Sequence, residues 1–269
     1  MPNNDQHPAP KIYAASISLL GKRKSQQDAF DYRYLDDGAF AAVVCDGMGG
    51  LNGGERAARA GCDGFFEEYS RMYRAHGRVN LETIARRLDQ KVAALTESDG
   101  RALDGGSTLV AAVVKGHTFH WLSVGDSRIG LVQNRHFFWL NRLHNFRMEL
   151  DEALSLGEIT RGEYEAGLPK GAALLSYLGC GELRYIDARY KLPLNPGDML
   201  LLCSDGFYGL WDEARLNAVL GGLNGTAANF AELMLPYITQ PGKPVDNATA
   251  VIIRSLAPRE YKPYLDEQE

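Results

Sequence analysis

Ala39-Phe40-Ala41-Ala42-Val43-Val44-Cys45-Asp46-Gly47-Met48-Gly49-Gly50 is the stretch on which the fold turns. Residues 39–45 are small, β-branched or aromatic, the make-up of a buried strand. An acid closes the run, and glycines follow that permit a sharp turn and a close backbone approach. A carboxylate at the end of a buried strand is costly unless it is paired, hydrogen-bonded or bound to metal. The arrangement recurs. Residues 120–125 lead into Asp126, residues 199–204 lead into Asp205-Gly206, and Asp246-Asn247 stands just before the apolar run 248–253. Several of these acids are expected to meet at one edge of a sheet core and to hold metal ions.

Upstream, residues 12–20 and 29–35 have strand character, with a turn at Asp36-Asp37-Gly38, so 29–35 and 39–45 form a hairpin. Downstream the period changes. Residues 55–75 read as a helix weakened by Gly61 and Gly64. Asn80 caps a second, with Leu81, Ile84, Leu88, Val92 and Leu95 on one face. Asp104-Gly105-Gly106 reads as loop. Residues 107–114, 118–124 and 129–133 follow as short strands whose connections suit only an antiparallel meander. Residues 145–180 are polar and glycine-punctuated, with short helices at 147–156 and 161–166, and read as an insertion or lid. Strands at 185–192, 199–203 and 248–255 and helices at 211–220 and 226–238 complete the chain. The pattern is α+β, an antiparallel sheet core with helices on its outer faces.

With 269 residues, 45% hydrophobic and 23% charged, the chain can bury a sizeable core. No repeat or linker divides it, so the expectation is a lead over 1–10, one domain over 11–256 and a polar tail over 257–269. The net charge of -5 has no basic stripe, which disfavours nucleic acid as partner. No apolar run is long enough for a signal core or a membrane span. The four cysteines form neither a C-x-x-C pair nor a zinc cluster, which fits a reducing cytoplasm.

Clustered carboxylates are hard oxygen ligands that suit Mg²⁺ or Mn²⁺. An acid shared by two such ions makes a centre that activates water and clamps a phosphate for in-line attack. An arginine beside it would hold two phosphate oxygens in a fork. Other motifs fail. Met48 breaks the oxygen ladder of a calcium loop, no Gly-Lys-Ser/Thr follows the glycines, and there is no G-x-S-x-G elbow.

In order along the chain stand Gly21-x-Arg23-x-x-Gln26-Gln27-Asp28-Ala29, Asp46-Gly47-Met48-Gly49-Gly50 with Gly54-Glu55, Gly106-Ser107-Thr108, Val124-Gly125-Asp126-Ser127-Arg128, Gly197-Asp198 through Ser204-Asp205-Gly206, and Asp246-Asn247-Ala248-Thr249. This set resembles the metal-dependent protein phosphatases of the protein phosphatase 2C type, in their bacterial form. The resemblance implies a four-layer α-β-β-α fold, a central antiparallel β-sandwich flanked by helices on both faces. It implies two Mn²⁺ or Mg²⁺ ions, or three: Asp46 bridging two, the Gly47 carbonyl on one, Asp205 and Asp246 completing the first, and Asp126 with Asp205 serving a third. Asp28 would orient a water at the metals, Arg23 would hold the substrate phosphate, and phosphoserine or phosphothreonine would be hydrolysed without a covalent intermediate. Asp126 has a second reading, as a structural acid that holds its own turn.

The chain also departs from the family pattern. Gln27 stands where Glu is frequent and adds no charge, which weakens the second metal. Asn141-Arg142-Leu143-His144 replaces T-x-D-H, and residues 168–178 match the lid poorly. Met48 stands where some relatives carry a proton-donating His. The expectation is a cytoplasmic, monomeric serine/threonine phosphatase acting on phosphoproteins against a kinase. A catalytically weak relative that binds phosphoproteins is the alternative, and a nuclease or phosphodiesterase is opposed by the acidic balance.

Overall fold

Both faces of the apolar runs are used, and this sets the layers. In β3 (Phe40–Gly49), Phe40, Ala42 and Val44 point into one core while Ala41, Val43 and Cys45 point into another. Strands β10 (Met199–Cys203) and β11 (Ala248–Leu256) do the same. Leu200, Leu202, Val251 and Ile253 join the core of Phe40, whereas Met199, Leu201, Cys203, Ala250 and Ile252 face outward under helices. A strand covered on both faces reads as a continuous apolar run, which is why 39–45, 199–203 and 248–253 stand out in the sequence.

The computed structural model describes residues 10–49, 53–222 and 246–256, together with Phe230, Glu232 and Met234. Its strands form two antiparallel sheets packed face to face. One has the order β1 (Lys11–Leu19), β11, β10, β7 (Arg128–Gln133), β8 (His136–Trp139). The other runs β2 (Asp28–Tyr34), β3, β5 (Leu109–Lys115), β6 (Thr118–Val124), β9 (Asp187–Pro193), with the short β4 (Gly105–Ser107) on the end of β3. Helices α1 (Gly53–His76) and α2 (Leu81–Ala93) cover the second sheet through Phe65, Phe66, Ile84 and Leu88. Helices α5 (Asp205–Tyr208) and α6 (Glu213–Gly221) cover the first through Phe207, Leu216 and Leu220. The expected α+β sandwich with helices on both faces is what the chain forms.

Three local expectations change. Gly47 and Gly49 do not turn, and Gly50 lies outside the described residues. β3 runs on to Gly49, pairing Gly47 with Ser107, Met48 with Gly106 and Gly49 with Gly105, so 105–107 is strand and not loop. These glycines serve close approach instead, since a Cβ on Gly47 would stand 2.2 Å from the Gly54 carbonyl oxygen. The meander breaks as well. β5 and β6 pair in one sheet, but β7 pairs with β10 and β8 in the other, so residues 125–127 cross between sheets. Strand alternation along β8 leaves Phe137 buried and Phe138 40% exposed. Within α1, Gly61 and Gly64 weaken helix propensity but admit the side chains of Leu178 and Leu88.

Asn80 caps α2 by accepting from the Thr83 N–H, as expected. Helices α3 (Phe146–Ser155) and α4 (Arg161–Gly167) fall where 147–156 and 161–166 were read. Their segment closes on itself where Asn145 pairs with Leu174, and Leu178 beyond it pairs with Ser107. The helix expected over 226–238 lies outside the described residues except for Phe230, Glu232 and Met234. So do the lead, apart from Pro10, and the tail.

Candidate active site

Strand register sets the first pair of acids. On β2 and β3, Asp28 and Asp46 are direct cross-strand partners. Like charges so placed repel. Two turns bring further acids to the same end of the sandwich. Asp205 opens α5, and Asp246 precedes β11. The two turns interlock, because a Cβ on Gly206 would stand 1.9 Å from the Asn247 carbonyl oxygen and 3.3 Å from the Asp246 Cβ. The sheet crossover supplies Asp126.

The electrostatics follow from that gathering. Burial, then the charges of Asp28, Asp205 and Asp126, holds the Asp46 carboxyl well above the ordinary carboxylate range. Asp46 and Asp205 are close enough to share a hydrogen bond when one is protonated. Asp28 is pushed up to about 6, since burial outweighs the hydroxyls of Thr249 and Ser204, and Asp205 and Asp246 add to it. Burial and the charge of Asp205 raise Asp126 to about 7. On the rim, Arg23 donates to Asp246 at 2.5 Å. That bond raises the Arg23 pKa, helped by the charge of Asp246 and more weakly by those of Asp205 and Asp46. Perturbed acids of this kind mark functional sites.

A scaffold of polar side chains fixes the acids, and sequence reasoning assigned it almost no role. Ser204 precedes α5 but does not cap it. Its Oγ donates to Asp28 Oδ2 at 2.8 Å and accepts the Thr249 N–H. Asp28 Oδ1 is buried with no hydrogen-bond partner among the described residues. Thr108 Oγ1 accepts the Asp46 N–H at 2.9 Å and meets Ser127 Oγ at 2.7 Å, linking Asp46 to the crossover. Asn247 accepts from the Gln27 N–H and donates to the carbonyls of Leu20 and Ser25, which ties the Arg23 loop beside Asp246. The only advance signal for these residues was their position inside the motifs.

The crossover at Asp126 is held by others. Asn141 donates to Ser123 Oγ and the Ser127 carbonyl and accepts the Ile129 N–H. His144, fully buried, accepts the Gly125 N–H on Nδ1, and its main-chain N–H donates to the Gly125 carbonyl. With Nδ1 occupied, its Nε2 faces Asp187 at 3.6 Å, too long for a hydrogen bond. His144 is therefore a packing group, and a carboxylate does stand by it although Leu143 supplies none. Gln27 presses its backbone against Gly47, whose N–H it accepts at 3.1 Å.

Hard carboxylate oxygens, mutual repulsion and the orphaned Asp28 Oδ1 together fit divalent cations. Among the described residues no three His, Cys, Asp or Glu side chains converge tightly enough to enclose an ion by themselves. This accords with Mg²⁺-type sites, in which waters fill much of the shell.

Two antiparallel sheets under helices, with acids collected at one edge, define the architecture of a metal-dependent phosphatase. Residues 18–240 match the family model described as protein phosphatase 2C. A serine/threonine phosphatase stp of Listeria innocua is 29% identical over 215 residues, covering 78% of this chain and 82% of its own. Protein phosphatase PhpP of Streptococcus pneumoniae is 24% identical, over 88% of this chain and 96% of its own. Among solved structures, the S. agalactiae serine/threonine phosphatase superposes with a TM-score of 0.74 at 21% identity, covering 91% of this chain and all of that one. The chain belongs to the protein phosphatase 2C family and is a serine/threonine phosphoprotein phosphatase. Membership implies divalent-metal dependence and phosphoprotein substrates. No described helix is long and apolar enough to cross a membrane.

Proposed function

We propose that the chain hydrolyses phosphoserine and phosphothreonine with two Mn²⁺ or Mg²⁺ ions held by Asp46, the Gly47 carbonyl, Asp205 and Asp246. Asp126, whose turn is held by Asn141 and His144, is left to serve a third with Asp205. Bound there, the cations supply an activated water and charge neutralisation of the phosphoryl group. Asp28 directs the attacking water through Oδ1, while Ser204 fixes its other oxygen. Arg23 grips the phosphate oxygens from the rim, where its planar fork suits them. The new bond forms between water oxygen and phosphorus as the bond to the serine or threonine oxygen breaks, and that oxygen takes up a proton. The physiological setting we infer is cytoplasmic, opposing a serine/threonine kinase.

The observation that carries this reading is the position of Asp46, register partner of Asp28, where burial and then the charges of Asp28, Asp205 and Asp126 raise its carboxyl well above the ordinary range. The test is turnover of a phosphothreonine peptide with Mn²⁺, lost on chelation and in Asp46→Ala. Undiminished hydrolysis by Asp46→Ala would overturn the assignment.

A further inference from the structure

At the other end of the second sheet lies a cleft that the phosphatase reaction does not use. α1 ends at His76, Gly77 follows with a φ of 64° that only glycine adopts freely, and Arg78-Val79 bridges to the capped start of α2. This bridge arches over the ends of β5, β6 and β9 and leaves two adjoining chambers of about 490 and 520 Å³, parted at Arg78, Val79 and Tyr190. Each falls in the range of small-molecule sites. Val113, on the wall, is the register partner of Ala41. Asp46 lies five residue steps along the strand from Ala41, about 17 Å at roughly 3.3 Å per step.

The lining is aromatic with cations at the rim. Tyr69, Tyr73, His120 and Tyr190 all line the chamber of about 490 Å³ with Val113. His120 and Tyr190 meet edge to face with centroids 5.6 Å apart, and the Tyr190 oxygen accepts the Leu81 N–H. Burial, then Lys191 and Lys115, pulls the His120 pKa down, so its ring is a neutral wall at pH 7. On the floor, Asp37 takes Lys115 at 2.7 Å and the Tyr69 hydroxyl at 3.3 Å, so those charges cancel. Arg78 and Lys191 have no carboxylate partner among the described residues. Lys191 is held at φ 55°, strained for a lysine, and β6 slips register against β9 beside His120. Strain and bulges of this kind re-aim side chains.

We propose that this cleft binds a small molecule in which a planar aromatic ring carries a phosphate, as in a nucleoside monophosphate. The ring lies against Tyr73, Tyr190 and His120, and the phosphate is met by Arg78 and Lys191. Aromatic walls stack such rings, and paired cations bind phosphate through charge-assisted hydrogen bonds.

The test is calorimetry on the full chain in EDTA, which withholds cations from the acidic site. The probes are adenosine 5′-monophosphate, adenosine and inorganic phosphate. The monophosphate is expected to bind at least about tenfold more tightly than either fragment. Arg78→Ser and Lys191→Gly should each weaken it about tenfold, while Arg23→Ala leaves it unchanged. Lys191→Gly suits the left-handed backbone, so an unchanged or higher Tm separates lost binding from misfolding. Absent binding at millimolar ligand, affinity lost in Arg23→Ala but kept in Lys191→Gly, or a fragment binding as well as the whole would each overturn the proposal.

Discussion

Asp37 and Asp46 flank the same strand, one in the turn before it and one near its far end, yet they sit in opposite electrostatic states. Burial pushes on both. Around Asp37 it is overcome by Lys115, the Ala39 N–H and the Tyr69 hydroxyl, and the carboxyl is held below its usual range. Around Asp46 the neighbours are carboxylates, and the shift runs upward. Asp187, held down first by the His144 ring 3.6 Å away and then by its bonds from Arg142, lies far below the ordinary range despite burial, while Asp126 rises to about 7. An acid with basic partners stays charged in the fold, and an unpaired cluster stores repulsion that protons or an added cation relieve.

The largest test of this contrast compares Asp46→Ala with Asp37→Ala. The first should lower kcat/KM by at least about a thousandfold, since a lost metal ligand removes several kcal/mol of transition-state stabilisation. It should also raise the Tm of the chelated protein. Asp37→Ala should do the reverse, lowering Tm by several degrees with activity within about twofold. Equal effects in peptide assays and calorimetry would erase the distinction. Next, Ser204→Ala frees Asp28 Oδ2 and should lower kcat by about ten- to a hundredfold with little change in Tm. A fall in KM alone would assign Ser204 another role.

Asp187→Asn should destabilise by about 2 kcal/mol at neutral pH, a Tm drop of about 4–8 °C. Its folded pKa is depressed, so the stabilisation is present above about pH 4, the unfolded value, and fades as pH falls below it. Wild type and variant melting curves should therefore converge in acid, and a gap that persists at low pH would point to packing instead. In chelator the site acids have the opposite sign. Asp28 and Asp126 hold protons in the folded state up to about 6 and about 7. Stability should thus decline as pH rises from about 4 through those values, and less so in Asp126→Asn. The smallest effect expected is that of Gln27→Glu, which adds charge beside Gly47 and should lower the half-saturating Mn²⁺ concentration severalfold in activity titrations.

The sheet core was legible because β3, β10 and β11 are buried on both faces and so advertise themselves as unbroken apolar runs. Their terminal acids were legible for the same reason, since Asp46 and Asp205 interrupt apolar sequence abruptly. What stayed hidden depends on pairings between distant segments. Local pattern marks Gly105-Gly106 as loop, and only the partner strand at Met48 and Gly49 makes it β4. Short turns predict a hairpin at Gly125-Asp126-Ser127, but the grip of Asn141 and His144 sends the chain to the other sheet. Ser204 reaches Asp28 across 176 positions and Asn247 reaches the Gln27 N–H across 220, distances no periodicity encodes.

The glycine contacts divide the molecule's tolerance to change in an uneven way. Asp46 and Asp205 stand among like charges, so replacing either relieves repulsion and leaves the chain able to fold. Gly47 and Gly206 lie so near other main chain that even a methyl group has nowhere to go. Random drift would therefore silence this catalyst in one step while leaving its shape intact, and lineages descended from such a fold should shed chemistry long before they shed architecture.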